Sequence, residues 1–188
     1  QAMNNPYHPN VTIGYDDFLS VPFLNDVITD THYDNPDRRG RQSTFIARLK
    51  NDLNVNAKGI AANEYVAICI DENGKALVFG DYPAYQEFAY FVQANCSNPN
   101  PIENIHANQP LTWSYNGQAI KVYKVPGTMN GNHFFDLSNW ENGNNSGGSW
   151  ENWSVNNGVF DSVVGTPIDC ALSSFDFKKY DFKVIPNP

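Results

Sequence analysis

The spacing of apolar positions changes along the chain, and each change predicts an element. Residues 1–20 are polar and turn-rich, with only Val11-Thr12-Ile13 suggesting a short strand. An apolar run, Val21 to Leu24, is followed by Val27-Ile28, which reads as a brief buried strand. From Arg38 the period becomes helical. Phe45, Ile46, Leu49 and Leu53 recur at three- and four-residue intervals, with Arg48, Lys50 and Asp52 on the other face. Asp34 or Asn35 is placed to cap this helix, with Pro36 near its first turn, where a missing N–H costs little.

Beyond Asn54 the spacing is that of strands. Tyr65–Ile70 and Lys75–Phe79 flank Asp71-Glu72-Asn73-Gly74, and the Asn-Gly pair suits a hairpin turn. Glu87–Ala94 reads as a strand, and residues 97–109 as an Asn/Pro-rich loop. Ala119–Val125 alternates as a half-exposed strand does, and Phe134–Leu137 is a short apolar patch. Residues 138–158, rich in Asn, Gly and Ser, read as a long irregular loop. A last alternating run, Tyr180–Ile185, precedes the C-terminal Pro188.

Composition narrows the function classes. A chain of 188 residues is long enough for one domain with a real core. Its formal net charge of -8 argues against a nucleic-acid partner, which requires a basic face. No apolar run approaches the ~18 residues of a membrane span, so no membrane partner is expected. Starting at Gln1 without an initiator methionine, the chain reads as a trimmed or processed piece. Three cysteines without a C-x-x-C pair exclude a zinc knuckle and allow one disulfide plus a spare thiol. Cys69, in an apolar run, reads as a buried small hydrophobe. Cys96 and Cys170 are the favoured pair, although spacing alone does not fix connectivity.

Candidate chemistry concentrates between Thr29 and Arg41, a segment holding one histidine, three aspartates and three arginines. Asp30 and His32 are two apart, so in an extended segment they point the same way. A histidine base needs an acid to orient it, and either Asp30 or Glu64 could do so. Arg38 and Arg41 share a face of the first helical turn, where two cations oppose the helix dipole. Asp30, Asp34 and Asp37 could offset them, and so could an anionic ligand. The plain alternative is a loop histidine beside a capped helix with surface ion pairs. No nucleophile elbow, zinc-binding H-E-x-x-H, P-loop or dinucleotide fingerprint is present, so no metal or cofactor is expected. Trp140, Trp150 and Trp153 read either as loop anchors packed on the sheet or as sugar-stacking platforms.

The run D-T-H-Y-D-N-P-D-R-R-G-R, Asp30 to Arg41, resembles the D-Q-H-F-x-x-R-x-R-x-x-R block of cyanophycinases and the related dipeptidase E type of serine peptidases. Gly59-Ile60-Ala61-Ala62-Asn63-Glu64 resembles that family's G-I-G-I-D-E, and the same hairpin follows. The likeness extends from about Val21 to Gly80 and more patchily to Trp140. It implies an α/β fold, the C-terminal part of a parallel-rich sheet sandwiched by helices as in class I glutamine amidotransferases, with β-hairpins and a long irregular C-terminal loop region. It implies residues 1–170 as the C-terminal portion of a hydrolytic domain and 171–188 as a tail. It implies His32 as general base and Glu64 as its orienting acid, with Asp30, Thr31, Arg38 and Arg41 lining the pocket for an aspartyl peptide. The family's serine lies upstream, so the implied partner is an N-terminal fragment of the same protein, and that fragment or a second copy of this chain would cover the apolar face left exposed. Thr31, Pro36 and Asn63 depart from the family's glutamine, first arginine and aspartate. A degenerate binding module is therefore the alternative. Lys183-Val184-Ile185-Pro186-Asn187-Pro188 resembles the start of the sorting domain of Bacteroidetes type-nine secretion cargo, which implies a secreted or periplasmic protein.

Overall fold

A computed structural model of the chain describes residues 1–14, 20–34, 36–97, 100–167 and 170. The alternating run at Tyr180–Ile185 and the sorting-domain resemblance lie outside the described residues, as does Asn35. The elements are β1 (Val27–Thr31), α1 (Arg39–Leu53), β2 (Lys58–Ala62), β3 (Ala67–Ile70), β4 (Lys75–Phe79), β5 (Phe88–Ala94), β6 (Ile120–Pro126), β7 (His133–Asp136), β8 (Ser149–Asn156) and β9 (Val159–Val164). A six-stranded sheet runs in the order β1-β2-β5-β6-β8-β9, and a three-stranded sheet in the order β3-β4-β7.

This overturns the expected parallel-rich sheet sandwiched by helices. Only β1 and β2 pair in parallel; the other ladders of both sheets are antiparallel. Among the described residues α1 is the one helix. A parallel strand needs a crossover of a dozen residues or more, and α1 supplies it between β1 and β2. After Asn54 the chain carries strand-length alternation and no further helical spacing, so its strands return by turns and loops. The α/β expectation came from the family likeness, and the periodicity alone pointed to β structure there.

The two faces of the large sheet carry separate cores. On one, Ile46 and Ala47 of α1 meet Tyr90, Val92, Ile120, Val122 and Trp153. On the other, Ile60, Phe91, Tyr123 and Val125 meet Ala76, Val78 and Phe135 of the small sheet. Being covered on both sides, β6 is buried along most of its length rather than half-exposed as its alternation suggested. Phe91 and Phe135 stack across the second interface with ring centroids 4.4 Å apart. The strand suggested at Val11-Thr12-Ile13 does not form. Residues 138–158 are not one irregular loop, because β8 occupies their second half and pairs with both β6 and β9.

Helix α1 keeps its predicted span with three corrections. Arg38 takes the N-cap position with no side-chain cap, because Asp34 and Asp37 close a small bridge that holds Pro36 before the helix. Leu53 is exposed, while Gln42, Ser43 and Thr44 are buried. They are satisfied internally: Tyr33 donates to Gln42 at 2.5 Å, and Ser43 and Thr44 donate to the carbonyls of Arg39 and Gly40. Cys69 is exposed on β3 rather than buried, whereas Cys96 and Cys170 form the favoured disulfide. Val27 and Ile28 are half-buried, as suits a strand at the sheet's edge. No helix among the described residues is long and apolar enough to cross a membrane.

Candidate active site

The parallel pairing of β1 with β2 sets Thr31 opposite Ala62. The next residues along each strand therefore leave the sheet together, and His32 meets Glu64 there. His32 Nδ1 lies 2.9 Å from Glu64 Oε1, across 32 positions of sequence. Of the two candidate acids, Glu64 is thus the one that orients the ring. The carboxylate favours the tautomer with the proton on Nδ1, which leaves Nε2 to accept a proton. His32 has φ 50°, in the left-handed region that costs a non-glycine residue of order 1–3 kcal/mol, though histidine tolerates it better than most. That turn ends the alternation of β1 and rotates His32 away from Asp30. The side chains of His32 and Glu64 are 61% and 37% exposed, so both can meet a partner from solution.

Asp30 instead serves the arginines. Both its carboxylate oxygens accept from Arg41 Nη2 at 2.6 Å, and Oδ1 also accepts the Thr31 N–H at 2.9 Å. Arg38 Nη1 lies 3.8 Å from Asp30 and donates to the Thr31 carbonyl at 3.0 Å. Thr31 thereby contributes backbone to the cluster, and its side chain stays exposed. Arg41 Nε is buried with no hydrogen-bond partner among the described residues. Charge-assisted donors of this kind suit a carboxylate, and Arg38 and Arg41 are held near one already. The offset expected for Arg38 and Arg41 comes from Asp30, while Asp37 pairs with Arg39. Asp34 forms a backbone bridge to Asp37.

Arg39 was not singled out by its sequence neighbourhood, yet it is the most constrained of the three arginines. It donates to Asp37 through Nε and Nη2, at 2.9 and 2.7 Å, and its guanidinium lies 4.9 Å from the centre of the Phe160 ring. The Arg39 hydrogen bond holds the Asp37 carboxyl below its ordinary value and raises the guanidinium in turn. The contact of Arg39 with Phe160 could not be read because β9, which carries that ring, was not recognised.

Asn63 is buried behind the site, and its N–H donates to the Phe88 carbonyl at 3.0 Å. Its side chain reaches Tyr90, whose hydroxyl is pushed well above the ordinary tyrosine range, chiefly by burial. The tryptophans lie elsewhere. Trp153 is fully buried in the core beneath α1, Trp140 is buried in the other core, and Trp150 packs on Tyr123 with centroids 5.1 Å apart. Their rings are packing anchors, and a stacking platform would need exposed faces. Cys96, Cys170 and Glu141 are the group of three metal-type ligands that comes together among the described residues, and its two sulfurs are joined to each other.

No protein-family model matches this chain, and no curated protein or solved structure matches it either.

Proposed function

We propose that this chain supplies the base-bearing half of a serine-type hydrolase that cleaves aspartyl-containing peptides. In this reading His32 is the general base and Glu64 orients it. Arg38 and Arg41, braced by Asp30 and the Thr31 carbonyl, receive the substrate carboxylate. The serine comes from an N-terminal segment of the same protein. The observation that carries the reading is the 2.9 Å contact between His32 and Glu64. Those residues were matched to a base and its acid by motif position, and the parallel β1–β2 pairing brings them together at the ends of adjacent strands. The reading rests on this site and not on the fold, because histidine–carboxylate pairs serving a nucleophile recur on unrelated architectures. The Cys96–Cys170 disulfide supports placing the protein outside the cytoplasm, either secreted or periplasmic.

The test uses the complete protein, including the segment that carries the serine. His32→Ala should lower kcat for aspartyl dipeptides by about 10²–10⁴-fold, the usual worth of a positioned base, with the fold retained by circular dichroism. Unchanged turnover would sink the assignment and leave the degenerate binding module, which the departures at Thr31, Pro36 and Asn63 would then explain.

A further inference from the structure

We propose that Tyr65, Tyr82 and Tyr85 form an aromatic platform beside the His32–Glu64 pair, and that it takes a flat aromatic side chain adjoining the aspartyl residue of the substrate. The inference rests on the hydrolase reading and adds a second specificity element to it. The three rings are 59%, 44% and 50% exposed. Single exposed aromatics are ordinary, but here two of the three, Tyr65 and Tyr85, are in ring contact with each other. Tyr65 stacks on Tyr85 with centroids 4.8 Å apart and planes 23° from parallel. Tyr82 leans on Phe88 at 5.8 Å.

Chain connectivity brings these rings to the site. Tyr65 directly follows Glu64. Tyr82 and Tyr85 lie on the turn before β5, whose Ala89 pairs with Ala62 at the end of β2 where His32 and Glu64 emerge. The turn is pinned by its backbone. Tyr82 N–H donates to the Gly127 carbonyl at 3.2 Å, and Tyr85 N–H donates to the Asp81 carbonyl at 2.9 Å. A Cβ on Gly127 would come within 2.8 Å of the Gly80 backbone, and one on Gly80 within 3.2 Å of the Tyr65 carbonyl. The two glycines thus let the Tyr82–Tyr85 turn lie against the segment bearing Glu64 and Tyr65. Tyrosine suits such a surface because it offers a rigid ring at low entropic cost, and ring pairs favour a planar partner beyond simple area burial.

Titration calorimetry of the full chain with the dipeptides Asp-Phe and Asp-Ala tests this. Asp-Phe should bind about three- to tenfold more tightly, the range expected of one added aromatic contact. Tyr65→Ala and Tyr85→Ala, each checked by circular dichroism, should remove that preference and leave Asp-Ala binding unchanged. Arg41→Ala should weaken both dipeptides equally. Equal affinities in the unaltered protein, or a preference that survives both tyrosine variants, would overturn the platform. If both dipeptides still depended on Arg41, the hydrolase reading would stand without it. Failure of either dipeptide to bind would overturn both.

Discussion

Helix α1 carries an arginine–aspartate arrangement near each end, and the two are built differently. Toward the C-terminal end, Arg48 donates to Asp52 at 2.5 Å and to the Pro6 carbonyl at 2.7 Å, and its guanidinium lies 3.9 Å from the centre of the Tyr7 ring. Tyr7 closes the circuit by donating to Asp52 at 2.6 Å. At the N-terminal end, Arg41 meets Asp30 through one nitrogen only, and its Nε is left over. The Arg48 side chain is 13% exposed and that of Arg41 41%. The helix dipole opposes Arg41, which lies in the first turn. One cluster is closed on itself, and the other leaves one buried donor unmatched among the described residues. Density of charge did not distinguish them; completeness of hydrogen bonding does.

The contrast can be broken by substitution. Arg48→Ala has the largest expected effect on stability, about 2–3 kcal/mol in denaturant unfolding, because two charge-assisted hydrogen bonds and a ring contact are lost together. It should also expose residues 1–13 to proteolysis while leaving dipeptide affinity unchanged. Arg41→Ala should do the reverse. Affinity for an aspartyl dipeptide should fall about tenfold, or about 1.4 kcal/mol, with unfolding shifted by less than that. If Arg41→Ala proved the more destabilising of the two, the N-terminal cluster would be structural after all.

The smallest effect concerns acid. Partial burial works to raise the Asp52 carboxyl, but hydrogen bonds from Tyr7, Asn51 and Arg48 outweigh it and hold the group below the ordinary carboxylate value. A depressed carboxyl adds stability above the unfolded value, near roughly 4, and the contribution is lost as pH falls through the folded value. Asp52→Asn should therefore flatten the acid side of the stability profile. A profile unchanged by this substitution would mean that Asp52 gives nothing to the closed cluster.

The same contrast runs through what could be read from the sequence. The helix and first hairpin were legible because their spacing and turn residues agree, and Gly74 has the positive φ its turn required. The pairing of His32 with Glu64 was legible only through motif position, since nothing in local spacing joins residues on different strands. β8 was hidden by composition rather than by pattern. Asn152, Trp153, Ser154 and Val155 do alternate polar and apolar, but they sit in a stretch rich in Asn, Gly and Ser, and Asn152 and Ser154 are buried along with their apolar neighbours. A signal did exist in Asn157-Gly158, where both residues take positive φ and turn β8 into β9. Burial of Gln42 and exposure of Leu53 were not legible, because they depend on Tyr33 and on where the helix ends over the sheet. The layer architecture was misjudged because the parallel-rich sheet rested on the family likeness, although the strand-length spacing after Asn54 already pointed to β structure.

The disulfide has a consequence for how the molecule would respond to a cut. Cys96 and Cys170 close a loop with a sequence separation of 74, enough to remove about 4 kcal/mol of entropy from the unfolded chain in the loop-closure account. β6, β7, β8 and β9 all lie inside it. A protease that cleaves the Asn- and Gly-rich connection between β7 and β8 would therefore open a ring and release no fragment. The nicked protein would migrate as one species until a reducing agent split it in two.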